Sequence, residues 1–166
     1  MKRPISSFNP ADGLLRADHF QVAYATNDIE RAKQVFADRF GIREFRQLKG
    51  KMPVGGQIHI ELAWHGGTMY ELVTSSGPGA ETFMRYIKGD EFTIRHHHLG
   101  FMIHNDNEWN GMLAGVEKNG WQILSKNDNA GFMKTCIVEI PELGHCFEYL
   151  FPEAAGLAFF ESVPTN

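Results

Sequence analysis

Two histidines and two glutamates stand at matching places in this chain, and all four side chains are of types that bind metal ions. His19 precedes Glu71 by 52 positions, and His98 precedes Glu148 by 50. Each glutamate lies in a short apolar segment, where burial of a lone carboxylate is costly unless it is paired or ligated. Two imidazoles and two carboxylates in one cleft suit a divalent ion such as Zn, Ni, Co or Mn. The pattern therefore predicts a metal site formed by these four residues.

His98 is the last of three consecutive histidines, so the register of its strand is ambiguous. The run Arg95–Ile103 is typical of a strand that starts polar and becomes apolar. Side chains alternate along a strand, so His96 and His98 share one face and His97 points to the other. The residues after His98 match those after His19. We therefore expect His98 to be the ligand, with His96 as the alternative.

The elements that would position these residues follow the same order in both halves of the chain. Each half reads as a strand, a helix and three further strands, and the nearly equal internal spacing indicates a duplicated βαβββ unit. Apolar residues at helical spacing predict a first helix over 29–40, after the N-cap cluster Thr26–Asp28 and before the C-cap Gly41. A second cluster, Asn105–Asn107, precedes the matching helix. The predicted strands are 18–25, 44–48, 57–64, 68–74, 97–104, 121–125, 133–140 and 146–151, with a short helix at 80–87 between the halves.

The predicted organisation is one chain with two modules and three connecting or terminal segments. They are an N-terminal arm at 1–16, a first module at 17–76, a linker with a short helix at 77–95, a second module at 96–152, and a tail at 153–166 that packs against the body.

The composition predicts a globular protein of 166 residues with 43% hydrophobic residues. A net charge of −4 without a basic block argues against binding to nucleic acid or to an anionic membrane. The apolar runs are too short for a membrane helix, and the N-terminus does not read as a signal peptide, so we expect a cytoplasmic protein. Cys136 and Cys146 lack metal-binding spacing and are expected to be core residues.

Several short motifs resemble the vicinal oxygen chelate superfamily, which includes glyoxalase I, methylmalonyl-CoA epimerase and the extradiol dioxygenases. The resemblance covers residues 17–152 and is carried by the stretch from Asp18-His19-Phe20 through Phe40-Gly41 and by the run from Gly144 to Tyr149. It is strongest to the glyoxalase- and epimerase-like branch. It implies an α+β fold in which two βαβββ modules form an eight-stranded, incompletely closed barrel-like sheet around a cleft, and it allows a homodimer. It also implies that His19, Glu71, His98 and Glu148 are the metal ligands.

The resemblance implies a metal-dependent lyase, isomerase or epimerase that stabilises an enolate of a small carbonyl substrate. Glu148 is then the first candidate for the catalytic base, and Glu71 is the second. One alternative is an Fe(II) extradiol-type dioxygenase, in which Glu71 would be a bystander. Another alternative is a metal-free protein of the same fold that binds a small molecule such as a drug. Methylmalonyl-CoA itself is not favoured as a substrate, because Gln57 stands without the glutamine-containing pattern of the epimerases.

Overall fold

The computed structural model describes residues 8–166, so residues 1–7 of the predicted N-terminal arm lie outside the described residues. The strands within that range are β1 (Asp18–Thr26), β2 (Arg46–Lys51), β3 (Gln57–His65), β4 (Thr68–Ser76), β5 (Ile94–Met102), β6 (Ile123–Asn129), β7 (Met133–Ile140) and β8 (His145–Pro152). The α-helices are α1 (Ile29–Phe40), α2 (Glu81–Met84), α3 (Asp106–Asn119) and α4 (Ala154–Glu161), and a 3₁₀ turn covers Pro10–Asp12. The order βαβββ occurs twice, which confirms the predicted α+β class and the two modules.

The chain divides into two compact units. The first unit contains residues 20–99 and 158–166, and the second contains the described residues 8–19 together with 100–157. In the first unit the strands are hydrogen-bonded in the order β2-β3-β4-β1, and β5 follows β1. Strand β1 runs parallel to β4, whereas β2, β3 and β4 form antiparallel pairs.

Helix α1 covers one face of the sheet in the first unit because its apolar residues recur at helical spacing. Ile29, Ala32 and Phe36 are buried and pack with Ala63 and Leu72 of the sheet. Burial of such side chains contributes about 1.5–3 kcal/mol each for the larger ones. This face therefore holds the hydrophobic core of the unit.

The ends of α1 are set by the capping residues that the sequence predicts. The side chain of Asp28 accepts a hydrogen bond of 3.0 Å from the backbone N–H of Arg31 and so satisfies one of the first amides of the helix. Gly41 adopts the left-handed conformation with φ of 77°, and its residue type removes the Cβ penalty there. The predicted helix is confirmed at both ends.

In the second unit, β8, β7 and β6 are joined as antiparallel neighbours, and α3 follows the end of β5. Asn105 caps α3 by accepting a hydrogen bond from the N–H of Glu108 at 3.0 Å. The buried hydroxyl of Tyr149 donates a 2.9 Å hydrogen bond to the carbonyl of Leu14. This bond ties the segment before β1 to the same unit.

Several other predicted boundaries differ from the structure, and for β2 hydrogen bonding explains the difference. Strand β2 extends to Lys51 because a tight loop, closed by a 2.7 Å bond from the Met52 N–H to the Gly56 carbonyl, keeps β2 and β3 paired to that point. Strand β6 begins later than predicted, and its pairing shifts between Ile123 and Ser125. The predicted short helix at 80–87 is reduced to α2, and β5 begins earlier, at Ile94.

The C-terminal tail packs as predicted. Residues 154–161 form α4, and Phe160 is buried. The side-chain oxygen of Asn166 accepts hydrogen bonds from the backbone N–H groups of Arg43 and Glu44, at 2.7 and 2.8 Å. The end of the tail is therefore held at the start of the segment that leads into β2.

Cys136 and Cys146 are buried and reduced, which confirms that they are core residues. In the β7–β8 hairpin each lies opposite a different residue, Tyr149 and Glu139 respectively, so the two are not a cross-strand pair. Over residues 8–166, the structure contains no helix with the length and apolar character required to span a membrane.

Candidate functional site

Glu71 lies in the middle of β4 with only 4% of its surface exposed. It lies opposite Leu62 of β3 and Ala23 of β1. The side-chain amide of Gln21, also buried, donates a 2.7 Å hydrogen bond to Oε2 of Glu71. A carboxylate in such apolar surroundings is stabilised only by polar partners or by a cation, so this bond is one part of what keeps Glu71 in place.

His98 is a further buried polar residue of this region, with 0% exposure. A ring nitrogen of His98 and a carboxylate oxygen of Glu71 lie within 4.8 Å of each other. Imidazole nitrogen and carboxylate oxygen are the usual ligands of divalent first-row ions, and a spacing of this size lets one ion contact both. The chemistry of this pair fits a metal ion, as the sequence predicts for these two residues.

Of the three consecutive histidines, His98 has a ring nitrogen grouped with the carboxylate of Glu71, and the ring of His96 packs edge-on against the ring of Tyr24, with centroids 5.9 Å apart. Tyr24 in turn contacts Phe36 of α1. His98 is therefore the better candidate, and the alternative His96 is not favoured.

His19 is placed differently from its predicted role. It is exposed at the start of β1, and its ring lies 5.4 Å from that of Phe101. Gln21, two residues further along the same face of the strand, is the residue that is buried and bonded to Glu71. The structure therefore favours Gln21 over His19 at this corner of the candidate site.

The helix N-caps support a second alignment of the two halves, which differs from the match of histidine to histidine. Gln21 precedes the N-cap Asp28 by seven positions, and His98 precedes the N-cap Asn105 by seven. The same alignment puts both glutamates 50 positions after their partners, Glu71 after Gln21 and Glu148 after His98. His19 then corresponds to His96. Counting from the N-caps, instead of matching histidine to histidine, selects Gln21 in place of His19.

His97 is fully buried. Its Nε2 lies 2.8 Å from the carbonyl oxygen of Thr82, and its Nδ1 lies 2.9 Å from Nδ1 of His98. The rings of Phe83 and Tyr86 lie 5.5 and 5.6 Å away. Burial, reinforced by the neighbouring His98, lowers the pKa of His97 to about 3, so this ring is neutral at physiological pH.

Glu148 occupies the position in the second module that Glu71 occupies in the first. It lies in the middle of β8 opposite Ile137, and only 8% of its surface is exposed. Its neighbours in the strand, Phe147 and Tyr149, are buried core residues. The predicted burial of this carboxylate among apolar residues is therefore observed.

A second polar cluster, around Glu61 of β3, belongs to the opposite face of the sheet. Glu61 is adjacent to Leu62, which shares the face of Glu71, so the side chain of Glu61 points the other way, towards α1. Its Oε1 accepts hydrogen bonds from Nε2 of Gln47 at 3.0 Å and from the ring of His59 at 2.8 Å.

Lys33 of α1 completes the Glu61 cluster. Its Nζ lies 3.4 Å from Oε1 of Glu61 and 3.7 Å from Oε2 of Glu30. Burial by itself raises the pKa of Glu61, but the hydrogen bonds from Gln47 and His59 and the charge of Lys33 lower this pKa below its ordinary value. The ammonium of Lys33 already supplies a positive charge next to the carboxylate of Glu61, so this cluster does not require a metal ion. Because Lys33 lies on α1 and Glu61 on β3, the ion pair attaches the helix to the sheet.

The sequence was compared with known protein families. Residues 16–139 match the family model of the Glyoxalase/Bleomycin resistance protein/Dioxygenase superfamily, which is about three quarters of the chain. The chain belongs to this superfamily. The match confirms the predicted resemblance and includes Gln21, Glu71 and His98. No curated protein matches the sequence.

Solved structures of the superfamily share the fold. Methylmalonyl-CoA epimerase from Mycobacterium tuberculosis is 10% identical, with a TM-score of 0.58 over 95% of this chain and 97% of that one. A methylmalonyl-CoA epimerase in complex with methylmalonyl-CoA and NH4+ is 12% identical, with a TM-score of 0.59 over 84% and 96%. A hypothetical protein from Bacillus halodurans C-125 is 15% identical, with a TM-score of 0.53 over 81% and 93%. At these identities the likeness concerns the fold.

Proposed function

We propose that this member of the superfamily is a metal-dependent isomerase or epimerase of glyoxalase type, acting on the proton next to a carbonyl group of a small substrate. The observation that supports it most directly is the buried pair Glu71 and His98, whose ligand atoms lie within 4.8 Å of each other. Burying an acid and an imidazole together on a strand face costs stability. Such an arrangement is typical of a site that serves function.

The proposed site consists of Gln21, Glu71, His98 and Glu148. Glu148 is included because it stands at the position of Glu71 in the repeated module, and Gln21 replaces the predicted His19 because it bonds to Glu71. Glu71, His98 and Glu148 would hold a divalent ion such as Zn, Ni, Co or Mn. A bound ion supplies a Lewis acid that lowers the pKa of a proton next to a carbonyl group.

The two carboxylates are proposed to move the proton. Epimerisation requires that a proton leaves one face of a carbon and that a proton returns to the opposite face, which calls for two acid–base groups. We assign removal of the proton to Glu148, because the Gln21 amide holds the carboxylate of Glu71 in a fixed orientation. Glu71 is the second candidate and would return the proton.

The substrate class follows from the chemistry of this site and from the solved relatives. A compound with an acidic carbon–hydrogen bond next to a carbonyl group is required. Small oxoaldehyde adducts of thiols are the first compounds to test. Methylmalonyl-CoA, the ligand of one structural relative, is the second, because the sequence around Gln57 does not favour it. The homodimer and the cytoplasmic location that the sequence predicts remain predictions.

Metal analysis tests the proposal. Protein purified without chelator should contain a divalent ion, and added Zn, Ni, Co or Mn should raise the melting temperature of chelator-treated protein by mass action. In D2O, the loaded protein should introduce deuterium next to the carbonyl group while it interconverts the two epimers, and Glu148→Gln should abolish the interconversion. Less than about 0.1 metal per chain together with an unchanged melting temperature would overturn the proposal, since a specific ion must stabilise the folded state.

One observation favours a second candidate, a metal-free protein that binds a small molecule. The hydrogen bond from Gln21 to Glu71 gives the buried carboxylate a polar partner without any ion. In that case the failed metal test would be accompanied by saturable binding of an apolar or aromatic compound, measured by calorimetry. The Fe(II) dioxygenase alternative is less favoured, because its usual ligand set has two histidines and one carboxylate, and Gln21 replaces one histidine.

A further inference from the structure

The carbonyl oxygen of Thr82 determines which nitrogen of His97 carries the proton. A carbonyl oxygen only accepts hydrogen bonds, and it lies 2.8 Å from Nε2 of His97. Nε2 of His97 therefore carries hydrogen and donates it. Because His97 is fully buried, a charged ring would be strongly penalised, so the ring is neutral and its Nδ1 holds a lone pair.

The same reasoning extends from His97 to His98. The two Nδ1 atoms lie 2.9 Å apart, and a hydrogen bond at this distance needs one donor and one acceptor. Nδ1 of His97 is the acceptor, so Nδ1 of His98 is the donor and carries hydrogen. In the neutral ring of His98 the lone pair is then on Nε2.

We propose that His97 is a positioning residue that transmits the orientation of the Thr82 carbonyl to His98 and fixes His98 as the tautomer with hydrogen on Nδ1. Nε2 of His98 is then the atom that binds the metal ion. The assignment of the tautomers is independent of the proposed function, and only the role of Nε2 towards an ion rests on it.

The segment that presents the Thr82 carbonyl is held by its own contacts. The N–H of Thr82 donates a 3.2 Å hydrogen bond to the carbonyl of Gly79, and the hydroxyl of Ser75 donates one of 3.2 Å to the carbonyl of Ala80. Phe83 packs against the ring of His97. The segment at 77–95, for which the sequence predicts a linker with a short helix, contains α2, and the first turn of α2 provides an acceptor for the histidine pair.

Nuclear magnetic resonance tests the tautomers in the intact protein of 18.8 kDa. Long-range ¹H–¹⁵N correlation at pH 7.5 distinguishes a protonated ring nitrogen from one with a lone pair, and the variants His97→Gln and His98→Gln assign the signals among eight histidines. We expect hydrogen on Nε2 of His97 and on Nδ1 of His98. Hydrogen on Nε2 of His98 in the metal-free protein would overturn the proposal. The tautomers are measured in the wild-type protein, and the variants serve only to assign its signals.

Two variants separate positioning from packing. His97→Phe fills the space but removes the acceptor, so His98 should shift towards the other tautomer and Zn affinity should fall by about 10- to 100-fold, as for other residues that orient metal ligands. His97→Gln offers a side-chain oxygen to Nδ1–H of His98 and should retain most of the affinity. Equal losses in both variants would reduce His97 to a packing residue and contradict the proposal.

The result also separates this inference from the proposed function. If the wild-type protein shows the expected tautomers but binds no Zn, Ni, Co or Mn, the proposed function fails and the coupling of His97 to His98 stands. If it binds metal with His98 in the opposite tautomer before loading, the function stands and the inference fails.

Discussion

The side-chain amide of Gln21 donates a 2.7 Å hydrogen bond to Oε2 of Glu71, and this bond joins two buried residues that are 50 positions apart in the chain. Gln21 lies on β1 and Glu71 on β4, two parallel neighbours. The bond therefore links the first and the last strand of the first module at the residue that we propose as a ligand.

Gln21→Ala should destabilise the protein. The substitution removes a hydrogen-bond donor from a buried carboxylate, and the loss of a buried hydrogen bond to such a group costs about 1–3 kcal/mol. Urea denaturation measures the effect as a lower midpoint at unchanged slope. The matched control is Gln57→Ala, an exposed glutamine on β3, which should change the stability by less than about 0.5 kcal/mol. Equal effects of the two variants would mean that the bond contributes nothing specific.

Glu71→Gln and His98→Ala should both weaken Zn binding. Each removes one proposed ligand, and calorimetric titration of chelator-treated protein should show an affinity at least about 10-fold lower for each, since ligands contribute at least as much as the residues that orient them. The dioxygenase alternative, with Glu71 as a bystander, predicts no change for Glu71→Gln.

His19→Ala is the control that distinguishes the two alignments of the repeat. His19 is exposed and outside the Gln21–Glu71 pair, so we expect its removal to leave Zn affinity within experimental error. A loss comparable to that of His98→Ala would restore His19 as a ligand and remove Gln21 from the site.

The stability of the wild-type protein should fall more steeply with decreasing pH than that of the variant Glu61→Gln. The folded-state pKa of Glu61 lies below its ordinary value of 4.5. Its contribution to stability is therefore present above pH 4.5 and is lost as the pH falls through the folded pKa. Thermal unfolding between pH 6 and pH 3 should show a weaker pH dependence in the variant. Glu117→Gln, on the exposed side of α3, should follow the wild-type curve, and a parallel curve for Glu61→Gln would contradict the prediction.

The thiol of Cys136 should be unreactive in the folded protein. Burial raises its pKa to about 12, so the thiolate that attacks disulfide reagents is scarce at pH 8. Cys146 is equally buried. A chromogenic disulfide reagent should detect neither thiol in native buffer and both after addition of guanidinium chloride. Rapid reaction of one thiol without denaturant would show that β7 and β8 open locally.

The local elements were predictable because their signals lie within a few residues of each other. Asp28 and Gly41 bracket a stretch with helical periodicity, and the cap hydrogen bonds form as that pattern predicts. The burial of Glu71 and Glu148 also followed from their apolar flanks. The spacing of like residues was less informative. Matching histidine to histidine selects His19, whereas counting from the helix N-caps selects Gln21, which bonds to Glu71.

The remaining features depend on residues that meet only in the folded chain. The Glu61 cluster requires that Lys33 of α1 lies over β3, and no local pattern reports that contact. The alternation of side chains along the strand predicted that His97 points away from the site. Its hydrogen bond to Thr82 could not be predicted, because every residue type has a backbone carbonyl and the sequence does not indicate which one a side chain will meet.

The position of the short helix α2 limits the changes of length that the segment between the two modules can accept, both in natural relatives and in engineered chimaeras. Connections between modules are usually the places where insertions, deletions and chimaera junctions are tolerated. Here a change in the length of residues 77–81 would rotate or withdraw the Thr82 carbonyl from His97. A chimaera joined within this segment would therefore change the tautomer of His98, although His98 lies outside the segment. Natural selection that maintains the His97–His98 pair should also maintain the length of the connection.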